Sequence, residues 1–327
     1  MWRGSESELR LEGEGRQRIL RLGPNGSDEI SAGTITVFGD EQRIQLEEEV
    51  RGVLYQREPG ASRGAAIPWD FASGTAEVFL VRGAGAHQGR LLVHEIQAHG
   101  GISVDHPKKT VGFRGSSCVW NRIRQTLRLY SDDRARWQIF HHVPTGAPRG
   151  APRDEITARE VSLVRVPAVA GVPAHVNVLF EGVTEATFHH RNGEKGRPGS
   201  GEFRLDRADH LMVMLRESGA SPTGSGNPSL ELYEARAWGV VHFQGSGYDV
   251  YASQCLYRSA DETLAFFGER TNPVRVHGAA QLQGSAISAR KTARGYTIEK
   301  KGRYPWRAEE IRRLVDEHQR QRKEGNR

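Results

Sequence analysis

The stretch on which the reading of the fold turns is Leu91-Leu-Val-His-Glu-Ile-Gln-Ala-His99, together with the run Ala76-Glu-Val-Phe-Leu-Val-Arg82 that precedes it. Both runs are apolar, rich in Val, Leu and Phe, and bounded by Gly83, Gly85 and Gly89. That composition favours two sequential strands, Ala76–Arg82 and Arg90–Gln97. Alternate residues of a strand share a face, so Glu95, Gln97 and His99 project together. Read as a helix, His94-Glu-x-x-x-His99 would carry a zinc-peptidase spacing. In a strand the two histidines face opposite ways and cannot share a metal.

Working outward, Asp40 is placed to cap a helix whose apolar residues Ile44, Leu46, Val50 and Leu54 are roughly helically spaced. Ser116 or Ser117 precedes Val119, Ile123, Leu127 and Tyr130, one apolar face of a second helix. Arg136–Val143 reads as a further strand. The tandem Gly-Ala-Pro-Arg of Gly146–Arg153 disfavours regular structure and reads as a linker. Beyond it, Val161–Val166, His175–Glu181, Leu230–Trp238, Gly239–Phe243 and Asp249–Tyr257 are strand candidates. Trp306–Arg322 is a helix candidate, with Pro305 near its start and Ile311, Leu314 and Val315 on one face. The expectation is an α/β (α+β) protein in two units, residues 1–145 (core elements about 40–144) and a β-rich region, 154–327, ending in a basic helix.

With 37% hydrophobic and 26% charged residues, the 327-residue chain can build a packed core. No run of 18 apolar residues and no secretory h-region is present, so the expected setting is soluble and cytoplasmic, with no membrane partner. Two cysteines, Cys118 and Cys255, cannot make a disulfide framework or a four-thiolate zinc site. Charge is uneven. Arg290–Arg327 holds 13 Lys and Arg against 6 Asp and Glu, a net of +7, leaving −1 for the rest of a chain of net charge +6. A basic tail on a near-neutral body suits a polyanion.

Chemistry concentrates in Ile67-Pro-Trp-Asp-Phe71, Thr75-Ala-Glu-Val78 and Val93-His-Glu-Ile-Gln97. An Asp70 brought beside Glu95 would give a carboxylate pair. With the carbonyl of Ile96 it would form a hard-oxygen site suited to Mg²⁺. These segments resemble the PD-(D/E)xK nuclease superfamily in a Glu-x-Gln variant, and more narrowly the NotI-type restriction endonucleases. The resemblance spans roughly Asp40 to Pro144. It implies that Asp70 and Glu95 bind Mg²⁺, that Gln97 stands in the place of the family's lysine, and that Glu49 is a further ligand, with Glu77 the alternative first acid. NotI-type enzymes carry a four-cysteine iron site, which two cysteines cannot reproduce.

The function expected on this basis is Mg²⁺-dependent hydrolysis of double-stranded DNA at a specific sequence, by a C₂ homodimer. Arg122 and Arg128, with Arg303, Arg307, Arg312 and Arg313 of the tail, would meet the phosphates. The competing expectation is a non-catalytic β-rich module whose basic tail docks on nucleic acid or a membrane surface.

Overall fold

Two-residue alternation of apolar and polar side chains, rather than helical spacing, runs through the elements of this chain. The computed structural model describes residues 2–3, 8–19, 29–56, 66–82, 91–108, 110–130, 138–143, 152–166, 174–189, 202–218, 229–245, 248–259, 263–269, 271–278, 282–292 and 295–300. Among them are nineteen strands and no helix. The first seven are β1 (Trp2–Arg3), β2 (Glu8–Ile19), β3 (Glu29–Phe38), β4 (Arg43–Gln56), β5 (Ile67–Arg82), β6 (Leu91–Asp105) and β7 (Val111–Asn121). Then come β8 (Thr126–Tyr130), β9 (Gln138–His142), β10 (Asp154–Val166), β11 (His175–His189), β12 (Glu202–Ser218), β13 (Ser229–Gly245) and β14 (Tyr248–Arg258). The last are β15 (Thr263–Phe267), β16 (Val274–Gly278), β17 (Leu282–Gly284), β18 (Ala286–Thr292) and β19 (Gly295–Lys300).

Pairing is antiparallel and follows chain order. Each strand from β1 to β7 bonds to the next. β8 and β9 are two halves of one rung, both lying between β7 and β10. The meander continues from β10 to β14. A second divided rung follows: β15 and β16 both pair with β14, β18 pairs with β15 and with β19, and β17 pairs with β16.

Most register shifts fall at one level across this ladder, apart from those between Phe79 and Leu80 and between Met214 and Leu215. The aligned shifts lie between Ser31 and Thr34, Glu47 and Val50, Ala72 and Thr75, His99 and Ile102, Arg207 and His210, and Trp238 and Val241. The breaks between β8 and β9 and between β15 and β16 sit at the same level. So do Glu48, Glu49, Gly100, Gly101, Gly182 and Gly239, all with positive φ. Each bulge bends its strand, and bulges in line crease the whole sheet. Glycine is needed where the crease is tightest. A Cβ on Gly33 would lie 2.5 Å from Glu48 Oε2, and one on Gly239 would lie 2.2 Å from Asp209 Oδ2.

The crease divides the sheet into two arms, and contacts between their far ends show that the arms face each other. The upper arm carries 43–47, 75–82, 91–99, 116–130, 160–166, 175–181, 210–218 and 229–238. The lower arm carries 50–56, 67–72, 102–105, 111–114, 138–142, 154–157, 183–189, 202–207 and 241–252. Gln56 ends β4 opposite Ile67 on the lower arm, and Gln125 lies in the turn at the far end of the upper arm. Flat, the twelve residue steps of β5 from Ile67 to Phe79 would separate those ends by roughly 40 Å. Yet Gln56 Nε2 donates to the carbonyl of Gln125 at 3.2 Å. Rings meet across the same gap: Phe140 on Phe180 at 5.4 Å, Phe188 on Tyr257 at 6.5 Å and Phe243 on Phe266 at 5.1 Å between centroids. The inner faces share one apolar core running from Ile30 to Ile287.

The α/β (α+β) expectation is therefore overturned, and the nuclease resemblance with it, because a PD-(D/E)xK core requires helices against its sheet. The expected helix from Asp40 is mostly β4, and the cause of the misreading is arithmetic. Leu46, Val50 and Leu54 are spaced by four, a step that is even as well as helical, so one strand face satisfies it. The second expected helix is β7, the turn 122–125 and β8. Its buried apolar residues are Cys118, Trp120, Leu127 and Leu129, whereas Ile123 is 63% exposed. The expected C-terminal helix, Trp306–Arg322, lies outside the described residues. The strand expected at Arg136–Val143 overlaps β9, with 136–137 outside the described residues, and those expected after residue 154 fall within β10, β11, β13 and β14. β10 pairs directly with β8 and β9, so the sheet is continuous from one expected unit to the other.

Crease packing predicts a specific ranking. Gly239→Ala combines a strained φ of 97° with collision against Asp209, whereas Gly101→Ala at φ 79° meets nothing within 4 Å. Urea unfolding should show Gly239→Ala losing about 1–3 kcal/mol, with Gly101→Ala losing less. Equal losses would contradict close packing at the crease.

Candidate functional site

Glu95 and Gln97 alternate with buried Ile96 and Ala98, so both point outward from the upper arm. Gln97 Nε2 donates to Glu95 Oε1 at 2.7 Å, and Asn121 Nδ2 approaches Glu95 Oε2 at 3.5 Å. Glu77 is the register partner of Gln97 and is held by Arg43 at 2.6 Å. Sequence reasoning placed Glu95, Gln97 and His99 on one strand face and offered Glu77 as the alternative acid; the structure sets Glu77 beside Gln97 on that surface. It does not bring Asp70 to them. Asp70 is exposed on the lower arm, between buried Trp69 and Phe71, with Asp105 as its register partner. Asp70 and Glu95 therefore sit on opposite outer faces with the apolar core between them, and the pair does not fit a shared Mg²⁺.

The remaining candidates are also dispersed. Glu49 is exposed on the crease, with Arg51 at 3.6 Å. Arg128 is taken up by Glu160, through Nη2 at 2.8 Å and Nε at 3.2 Å. Arg122 sits in the turn after β7, where its carbonyl accepts from Gln125 Nε2 at 2.6 Å. Arg303, Arg307, Arg312 and Arg313 lie outside the described residues. Among the described residues no group of three or more His, Cys, Asp or Glu is placed to hold a metal ion.

The space that sequence reasoning missed lies between the arms. A cavity of about 30 Å³ is lined by Phe188, Leu205 and Phe243 of the lower arm and by Leu211, Ala235, Ala237, Cys255, Tyr257 and Leu264. The lining residues are apolar apart from Tyr257, which carries a hydroxyl. Burial pushes the Cys255 thiol up to about 12 and also raises that of Cys118, so both are neutral, inert groups at physiological pH. No motif announces this cavity, because it depends on which strands the crease sets face to face.

Polar groups on the inner faces gather at the far ends of the arms. Trp69 Nε1 donates to Gln56 Oε1 at 3.1 Å, joining the Gln56–Gln125 bridge. Arg165 and Glu217 form a two-pronged pair at 2.7 and 2.8 Å and are almost fully buried. Asp154 is bound by His142 Nδ1 at 2.8 Å and by the backbone N–H of His189 at 2.7 Å. Burial alone would raise the Asp154 pKa. The hydrogen bond from the His142 ring, the nearby His189 ring, the His142 charge and the His189 N–H outweigh it and hold the carboxyl at about 2. Comparison of the chain with protein-family models, curated proteins and solved structures gives no match.

The Asp154 cluster predicts an acid limb. Its folded pKa lies below the ordinary Asp value of 3.8, so its stabilisation is complete above about pH 4 and is lost as pH falls towards 2. On the order of 2 kcal/mol is at stake. In urea titrations between pH 6 and 2, Asp154→Asn should be less stable at pH 6 and should converge on the natural chain by pH 2. Parallel curves would contradict the ionised, hydrogen-bonded Asp154.

Proposed function

We propose that this chain is a non-catalytic binding protein that holds the apolar part of an amphipathic or apolar molecule between the two arms of its folded sheet. One observation carries this reading: the inward faces form an apolar lining with a cavity between them, in a sheet folded over rather than closed into a barrel. Among the described residues strand pairing runs across each arm and not between the arms. The arms can therefore separate about the crease without breaking a strand pair, whereas a closed barrel would have to lose ladder hydrogen bonds. Apolar burial at roughly 25 cal/mol per Å² is sufficient to favour a chain-like ligand over water. At about 30 Å³ the cavity fits one small group, so a longer ligand must part the arms.

The hydrolytic expectation loses its support with the separation of Asp70 from Glu95. A second, compatible reading concerns the tail, where the net +7 of Arg290–Arg327 favours an anionic surface or headgroup. No helix among the described residues is long and apolar enough to cross a membrane, a statement that leaves β-strand spans untouched.

Three measurements bear on these readings. Titration with N-phenyl-1-naphthylamine should show saturable binding with enhanced emission. Ala237→Val, which fills the cavity, should weaken it at least tenfold with little change in melting temperature. Unchanged binding would contradict the site. Incubation with mixed plasmid and phage DNA should give no discrete bands with Mg²⁺; cleavage lost in EDTA and in Glu95→Ala would reinstate the hydrolytic reading. Deleting residues 306–327 should flatten the salt dependence of polyanion binding by about two to four log units per log unit of salt, if about four cations engage phosphates. An unchanged slope in a folded truncation would end the anionic reading of the tail.

A further inference from the structure

The second half of the sheet repeats the first, rung for rung. Four long strands, β4 to β7, lead to the divided rung β8 and β9 and then to β10. Likewise β11 to β14 lead to the divided rung β15 and β16 and then to β17 and β18. The pairing registers correspond. Cys118 pairs with Ala98 and Leu129, and Cys255, 137 positions later, pairs with Ala237 and Phe266. Ser116, Thr126 and Leu127 recur as Ser253, Thr263 and Leu264 at the same interval. Residues of one half therefore have counterparts in the other, and the two can be compared position by position.

That comparison singles out one surface. An outward row crosses the upper arm, each residue the register partner of the next. In the first half it reads Gln45, Glu77, Gln97, Val119 and Arg128, all half-buried. The counterparts in the second half are Leu179, Met212, Arg236, Leu256 and Ala265. Leu179, Met212 and Leu256 are each 7% exposed, and beside them Phe267 and Ala286 are 5% and 2% exposed. None of the five belongs to the inner core. Leu256, Phe267 and Ala286 form a separate apolar cluster, while their chain neighbours Cys255, Phe266 and Ile287 turn the other way into the core. Arg236, in the same row, is paired with Glu234. Flanking strands alone do not produce this burial, since the same row in the first half is only half-buried. A satellite apolar cluster away from the main core lies beneath a further segment of chain. All nineteen described strands belong to the one sheet, so none of them supplies that cover.

We infer that the cover is the chain's own C-terminal segment: Ile311, Leu314 and Val315 seat on the outer patch formed by Leu179, Met212, Leu256 and Phe267. Position, length and chemistry agree on this occupant. Lys300, the last residue of β19, pairs with Ile287, next to Ala286, so the chain passes into 301–327 at the border of the patch. Read as a helix, the seventeen residues 306–322 span about 25 Å. The five strand spacings from β18 to β11 amount to about 24 Å. Ile311, Leu314 and Val315 share one helical stripe, with Arg313 and Arg320 on the opposite side. The stripe matches an apolar patch and has no match in Gln45, Glu77 and Gln97, which confines docking to the second half. The basic side is left outward, so this placement is compatible with the anionic reading of the tail and independent of any ligand between the arms.

Met212 lies in the patch and reports on its cover. In native-state oxidation by hydrogen peroxide, followed by mass spectrometry, Met212 should be protected in the full chain. The double variant Ile311→Glu, Leu314→Glu should raise its rate at least tenfold, while labelling of buried Cys118 by methyl methanethiosulfonate stays unchanged and shows the core intact. An unchanged Met212 rate would overturn the docking. Protection that grows with protein concentration would assign the cover to a second copy of the chain and overturn it as well. If the variant also accelerates Cys118, a second measurement decides. With p-benzoylphenylalanine placed at Leu314, irradiation of mixed isotopically light and heavy chains should link it within one chain to β11–β15, Met212 being the favoured acceptor. Links to the row from Gln45 to Arg128, links between chains, or no link to the sheet would overturn the inference.

Discussion

Everything in this molecule depends on a line of bulges crossing the sheet at one level. A flat antiparallel meander of fourteen- to seventeen-residue strands would expose one entirely apolar face to water. Creasing lets the sheet bury that face against itself, so one element type supplies both layers of a sandwich and no helix is required. The chemistry of the crease is local: Glu48 and Glu49 at positive φ, Gly33 beneath the Glu48 carboxylate, and Gly239 beneath Asp209. Its consequence is global, because the crease decides which residues face one another across the interior.

The same geometry separates two kinds of surface. Ion pairs such as Arg43–Glu77, Arg114–Asp105 and Arg128–Glu160 lie on the outside of the arms, part-exposed, where each contributes little to stability. The interior is largely apolar, and its buried charged and amide groups Gln56, Asp154, Arg165 and Glu217 find partners at the arm ends. A protein built this way gathers most of its apolar surface inside and leaves a mostly charged exterior. That arrangement favours the space between the arms, rather than the outward carboxylates, as the place where a ligand would bind.

Much of the strand content was legible in the sequence. The runs around Val78, Ile96, Leu163 and Val250 alternate or cluster as strands do, and the structure has strands there. The first half misled where apolar residues recur every four positions, since that step suits both periodicities. Glu47-Glu48-Glu49 added to the error by resembling the polar face of a helix, when two of the three residues shape a bulge. The shared face of Glu95 and Gln97 was legible because alternate residues of one strand lie together. The distance of Asp70 from them was not, because it depends on register and on the crease. The cavity was invisible for the same reason: Phe188 and Tyr257 are 69 positions apart and meet only when the sheet folds.

The folded sheet itself can be measured directly. Spin labels placed at Asp70→Cys and Leu91→Cys, both exposed and on opposite arms, with Cys118 and Cys255 replaced by Ala, report the separation of the arms by pulsed dipolar spectroscopy. Asp70 is paired with Asp105, fourteen residues along β6 from Leu91, so an uncreased sheet would hold the labels on the order of 45 Å apart. Two packed arms with a sheet spacing of about 10 Å bring them to roughly 20–30 Å, allowing for the label arms. A distribution centred in the shorter range is the result this account predicts, and one centred near 45 Å would contradict it.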